Sequence, residues 1–252
     1  MLNHPCVTRL EELGLSGMAA ALREQNALPD SETLPFTERL DLLLERELTE
    51  RSTRRLQRRL RAAALRQNAS LSELDYRARR GLEKRLILTL ASCEWVRRHQ
   101  NVLVTGATGV SKSFIACALA HTACLEGHTA LYQRLGRLLD DLELSRGDGR
   151  YLKLLKSLSA IDVLVLDDWG LARLTPAQQG DLLEIIDDRH QRRSTIVTSQ
   201  LPVENWHQIM VDPTLADAII DRLIHTAHHI RLKGESMRKR ESGLHDDSEF
   251  PK

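Results

Sequence analysis

Asn101-Val102-Leu103-Val104-Thr105-Gly106-Ala107-Thr108-Gly109-Val110-Ser111-Lys112-Ser113-Phe114 is the stretch on which the fold turns. Its first five residues read as a buried strand, and from Phe114 to Ala120 the chain is an apolar helical run. Between them lies a phosphate-binding loop of the pattern Gly-x-x-x-x-Gly-Lys-Ser, except that Ser111 stands where the pattern has its second Gly. In such a loop, backbone N–H groups from Gly106, Ala107, Thr108, Gly109, Val110 and Ser111 converge on phosphate oxygens, and the helix start adds its positive dipole end. Lys112 supplies a mobile charge and Ser113 a hydroxyl ligand for Mg²⁺, so the expected ligands are a nucleotide and Mg²⁺. Ser111 carries a cost: if its position needs positive φ, a residue with a Cβ loses on the order of 1 to 3 kcal/mol, which is expected to weaken nucleotide binding.

Further along, Ile161-Asp162-Val163-Leu164-Val165-Leu166 runs into Asp167-Asp168-Trp169-Gly170. A carboxylate at the C-terminal end of a parallel strand faces the nucleotide crevice. Asp167 is therefore the expected metal ligand, with Asp168 orienting or deprotonating the attacking water. Strands near Thr129 to Tyr132, Ser194 to Ser199 and His228 to Leu232 alternate with helices, which predicts a parallel α/β sheet with helices on both faces.

On the N-terminal side, Leu10 to about Gln67 shows helical apolar periodicity broken at Pro29 and Pro35, a small all-α domain. The expected organisation is a helical domain over 1–67, a linker over 68–80, an ATPase domain over 81–235 and a polar, flexible tail over 236–252. Leu82 to Arg98 is expected to be a helix leading into the first strand.

The net charge of +1 conceals a strong asymmetry: Arg51 to Arg85 holds 12 basic and 3 acidic residues, and no acid occurs between Glu50 and Glu73. Arg51, Arg54, Arg55, Arg58 and Arg59 share one helical face. Without interleaved aromatics this stripe is suited to phosphates rather than bases, so salt-sensitive, sequence-independent binding of double-stranded DNA is expected. No run resembles a signal peptide or approaches a membrane span, and a cytoplasmic protein, nucleoid-associated when on DNA, is the expectation. Cys6, Cys93, Cys117 and Cys124 lack Cys-x-x-Cys spacing and read as small buried residues. His225, His228 and His229 lack a matching set of metal ligands and read as strand-edge residues.

Several long strings together resemble the IstB-type transposition helper ATPases. They are Met1-Leu2-Asn3-His4-Pro5, Asp75-Tyr76-Arg77, Leu164 to Gly170, Ser194 to Gln200, Asp212 to Ala218, Asp221-Arg222-Leu223 and Leu232 to Ser236, together with the phosphate loop and the Arg-rich helix. That family is similar to DnaC-type helicase loaders and belongs among AAA+ P-loop NTPases. The resemblance implies an ATPase that oligomerises on DNA and serves a transposase encoded nearby. By the same resemblance Ser199 and Gln200 sit where a sensor reads the terminal phosphate, and Arg222 matches an arginine finger reaching a neighbouring subunit. Little more than a basic tail follows the last strand, so no helical lid is expected there, and nucleotide is expected to be held less tightly than in lidded relatives. A replicative helicase loader, or a scaffold that binds nucleotide or DNA without useful hydrolysis, remains open on the residues alone.

Overall fold

The computed structural model describes residues 5–28, 33–76 and 80–234; the opening Met1 to His4, Pro29, Arg77 and the polar segment from Glu235 onward lie outside the described residues. The chain divides into two compact units, Met1–Arg58 and Arg59–Lys252. This boundary falls nine residues before the one expected from composition. Residues 59–67 go with the α/β unit because Arg59 Nε donates to the Cys124 carbonyl at 2.9 Å and Ala63 is fully buried.

In the first unit, α1 (Pro5–Glu12) and α2 (Ser16–Ala27) precede α3, which runs over Phe36–Ala63 and crosses the unit boundary. Glu47 of α3 accepts from the Gly17 and Met18 backbone N–H groups at 2.7 and 3.1 Å, satisfying two of the donors that a helix start leaves open. Burial pushes the Glu47 carboxyl up, but bonds from Arg51, Met18 and Gly17 outweigh it and hold the group below its ordinary value. Gly17 is what permits the approach: a Cβ there would lie 2.7 Å from the Glu47 Cα.

The second unit is a five-stranded parallel sheet in the order β2-β3-β4-β1-β5, with β1 Asn101–Thr105, β2 Ala130–Arg134, β3 Val163–Trp169, β4 Ser194–Ser199 and β5 Ala227–Arg231. All five expected strands are present, with β3 running three residues further. Residues of β1, β3 and β4 are almost wholly buried because both faces are covered. One face packs α6 (Lys112–Leu125); the other shares a core with α7 (Leu135–Gly147), α8 (Tyr151–Ala160), α9 (Pro176–Arg189) and α10 (Pro213–Ile224). Trp169 and Trp206 stack in that core with centroids 4.8 Å apart.

Two expectations need correction. The helix over 82–98 is two pieces, α4 (Lys84–Ala91) and α5 (Glu94–Arg97), because Cys93 adopts φ 54 and breaks the hydrogen-bond ladder. The linker is partly folded: Ser70 and Glu73 form a capping box around a 3-10 turn over Leu71–Glu73. Cys93, Cys117 and Cys124 are buried as expected, whereas Cys6 is exposed. His228 lies in the edge strand β5, bonded to the Gln100 side chain at 3.0 Å, and no metal-ligating cluster occurs among the described residues.

Candidate nucleotide site

The loop of residues 106–111 leaves the C-terminal end of β1 and delivers Lys112 and Ser113 to the first turn of α6. Gly106, Gly109 and Ser111 all have positive φ, at 151°, 85° and 71°. Gly106 is fixed by space as well, since a Cβ would meet the Leu232 carbonyl oxygen at 2.5 Å. Ser111 therefore does occupy a left-handed conformation, and its side chain makes no capping bond. The conformation belongs to the fold, so its strain acts on folding stability. Lys112 Nζ donates to the Gly106 and Ala107 carbonyls, both at 2.7 Å. Val110 is fully buried and anchors the loop in the core.

Opposite Lys112 stand the paired acids. Between β3 and β4 the register shifts, with Leu166 facing Val197 and Trp169 facing Ser199, so β3 carries one extra residue where the two Asp lie. Such a bulge re-aims side chains. It turns Asp167 into the interior and leaves Asp168, at φ 65, facing a cleft. Asp167 accepts from Ser113 Oγ at 2.9 Å through both carboxylate oxygens, from the Thr198 and Tyr132 hydroxyls, and from Arg66 at 3.4 Å. Burial pushes its carboxyl up, but the hydroxyl donors and Arg66 together hold it below the ordinary value. Asp168 Oδ2 lies 3.4 Å from Arg134 Nε, and its backbone N–H donates to Thr198 Oγ1 at 3.3 Å.

The resulting cleft, about 330 Å³, is lined by Thr108, Gly109, Ser111, Lys112 and Ser113 of the loop, by Asp168 and Gln200, and by Arg66, Gln67, Phe114 and Arg134. Gln200 Oε1 accepts from Thr108 Oγ1 at 2.8 Å. Ser199 is not in its wall: fully buried, it donates to the Trp169 carbonyl and accepts from Leu201 N–H. A hydroxyl and a carboxylate side by side are hard oxygen donors of the kind Mg²⁺ takes, and phosphate and water oxygens would have to complete its shell. The donor set thus fits Mg²⁺ with a nucleotide.

Sequence reasoning missed Arg66, Tyr132, Arg134 and Thr198. The first two meet Asp167 across 101 and 35 residues of chain, and no local pattern marks such a contact. Thr198 lies within one of the family-like strings, but only the pairing of β4 with β3 shows that its hydroxyl reaches Asp167.

Arg222 sits near the end of α10, its Nε 2.6 Å from Asp187 and its carbonyl accepting from the Asn101 side chain at 3.2 Å. Asn101 begins β1, and the phosphate loop leaves the other end of that strand. Five residues rising about 3.3 Å each place the Arg222 backbone roughly 16 Å from its own loop. In the stripe, Arg51 pairs with Glu47 and Arg54 with Glu50, each one turn back. Arg55 and Arg58 are exposed and pair with no acid among the described residues, while Arg59 is held by the Cys124 carbonyl.

A parallel sheet of this order, with the phosphate loop after β1 and paired acids on a strand separated from it by β4, defines a P-loop ATP-binding domain of the AAA+ type. Solved structures of the same fold include DnaI (TM-score 0.57, 20% identity, 66% of this chain and 91% of that one). Another is a replication initiator, DnaA, bound to AMPPCP and single-stranded DNA (0.55, 14%, 74% and 59%). Within that class the chain belongs to the IstB-like ATP-binding proteins, whose family matches residues 8–244. It is 50% identical over 239 residues, 95% of this chain and 98% of the relative, to the putative insertion sequence ATP-binding protein y4pL of Sinorhizobium fredii. To the putative ATP-binding protein of insertion sequence IS1162 of Pseudomonas fluorescens it is 51% identical over 203 residues, covering 80% and 88%.

Proposed function

We propose that this chain is a Mg²⁺-dependent ATPase that assembles on double-stranded DNA and assists the transposase of its insertion sequence. The observation that carries the ATPase part is one cleft lined by Lys112, Ser113 and Asp168, with Asp167 buried behind it and bonded to Ser113. Ser113 and Asp167 would hold Mg²⁺, which would neutralise charge on the phosphoryl group being transferred. Lys112 and the loop N–H groups bind and orient the phosphates. Asp168, on the solvent side of the bulge, orients and deprotonates the attacking water, and Gln200 senses the terminal phosphate from the end of β4. Arg134, paired with Asp168, is placed to steady that carboxylate.

Arg222 acts in trans, because its own loop lies at the far end of β1; its charge would stabilise the transition state in a neighbouring copy. The helical unit supplies DNA contact through Arg55 and Arg58, with Arg51 and Arg54 exchanging their glutamates for phosphates at some cost. The partner transposase is inferred from the insertion-sequence relatives. Asp168→Asn tests the enzymatic step: ATP affinity should stay within a few-fold of wild type while turnover falls about 100-fold or more. Turnover that survives the substitution would move the base elsewhere.

A further inference from the structure

Asp167 has more donors than a metal-binding carboxylate needs. Three hydroxyl contacts come from Ser113, Thr198 and Tyr132, and the fourth, from Arg66, is the longest at 3.4 Å. Arg66 lies beyond the end of α3, in the acid-free stretch, and reaches the site after a turn at Ala64, which adopts φ 47. About a third of its side chain remains exposed. It lines the same cleft as Lys112, Gln200 and Asp168.

The position of Arg66 relative to the loop is informative. Lys112 and Ser113 mark the part of a phosphate loop that handles the last two phosphates, and Arg66 approaches from the Asp167 side of that pair. A guanidinium has five donors in a planar fork, and one long contact to Asp167 leaves others for the cleft that the residue lines. Mg²⁺ at Ser113 and Asp167 would compete with Arg66 for the same oxygen, and an always-charged group displaced there has a phosphate as its nearest alternative anion.

We propose that Arg66 is a nucleotide-contacting residue acting within its own subunit, exchanging Asp167 for the terminal phosphate of ATP. It would thereby distinguish ATP from ADP. This rests on the ATP-binding reading of the cleft but not on hydrolysis or assembly.

The test is equilibrium titration of fluorescent ATP and ADP analogues, with Mg²⁺, into wild type, Arg66→Ala and Arg66→Lys, each checked by thermal melting. Arg66→Ala should lose about tenfold in ATP affinity and less than about twofold in ADP affinity. Arg66→Lys, which keeps the charge without the fork, should recover part of the ATP loss. Equal losses for ATP and ADP would show Arg66 to be only a counter-ion for Asp167 and overturn the proposal, as would unchanged affinities. If Arg66→Ala fails to fold, the ATP-to-ADP affinity ratio of Arg66→Lys decides, and a wild-type ratio overturns the proposal. Wild-type protein binding neither nucleotide at millimolar concentration would refute the ATP-binding reading itself and this assignment with it.

Discussion

Ser111 and Asp168 carry the clearest strain at the phosphate cleft, both of them left-handed. For Ser111 the left-handed region costs roughly 1 to 2 kcal/mol, while the greater chain entropy that Gly gives up on folding offsets about 0.5 to 1 kcal/mol of the relief. Ser111→Gly should therefore stabilise the protein by about 0.5 to 1 kcal/mol and raise the thermal midpoint by roughly 1 to 4 °C. ATP affinity should change little, because the conformation is already part of the fold; a large affinity gain with no gain in melting temperature would return the cost to binding. Gly106 is the opposite case. A Cβ there would collide with the Leu232 carbonyl, so Gly106→Ala should displace the loop and lower nucleotide affinity at least about tenfold by titration.

At the scale of elements, one buried carboxylate and one glycine set how closely α2 and α3 approach. Gly17→Ala places a methyl group against the Glu47 backbone and should cost about 1 to 3 kcal/mol in urea unfolding of the helical unit. On α3 the arginines divide by their partners: Arg55→Gln with Arg58→Gln should flatten the slope of log DNA affinity against log salt by about 1.8, near 0.9 for each phosphate no longer neutralised. Arg51→Gln with Arg54→Gln should flatten it less, because Glu47 and Glu50 already hold those two side chains. An unchanged slope in the Arg55 and Arg58 double variant would place DNA contact outside the stripe. These pairings show what a sequence withholds. The strands, the phosphate loop and the paired acids were legible because apolar runs, punctuation and spacing are local. The break at Cys93 carried no Gly or Pro to announce it, and the capping box at Ser70 and Glu73 was written in the sequence but lay in a stretch whose polarity suggested a linker. Arg66 and Tyr132 could not be found, because their meeting with Asp167 exists only once the sheet has brought distant segments together.

For the whole molecule, the decisive proposal is the action of Arg222 in trans. Lys112, Ser113, Asp167 and Asp168 gather at the C-terminal ends of the strands, and Arg222 lies at the other end of β1. Its ion pair with Asp187 is exposed and so costs little to exchange. On that proposal hydrolysis should rise more steeply than protein concentration until assembly is saturated. The most direct test mixes Arg222→Ala subunits, whose acids are intact, with Asp168→Asn subunits, whose Arg222 is intact, and measures ATP turnover on DNA. Each variant alone should be nearly inactive, and mixtures should recover turnover at interfaces that join an intact Arg222 to an intact Asp168. Mixed oligomers shown to form yet giving no turnover above the two separate variants would contradict the account.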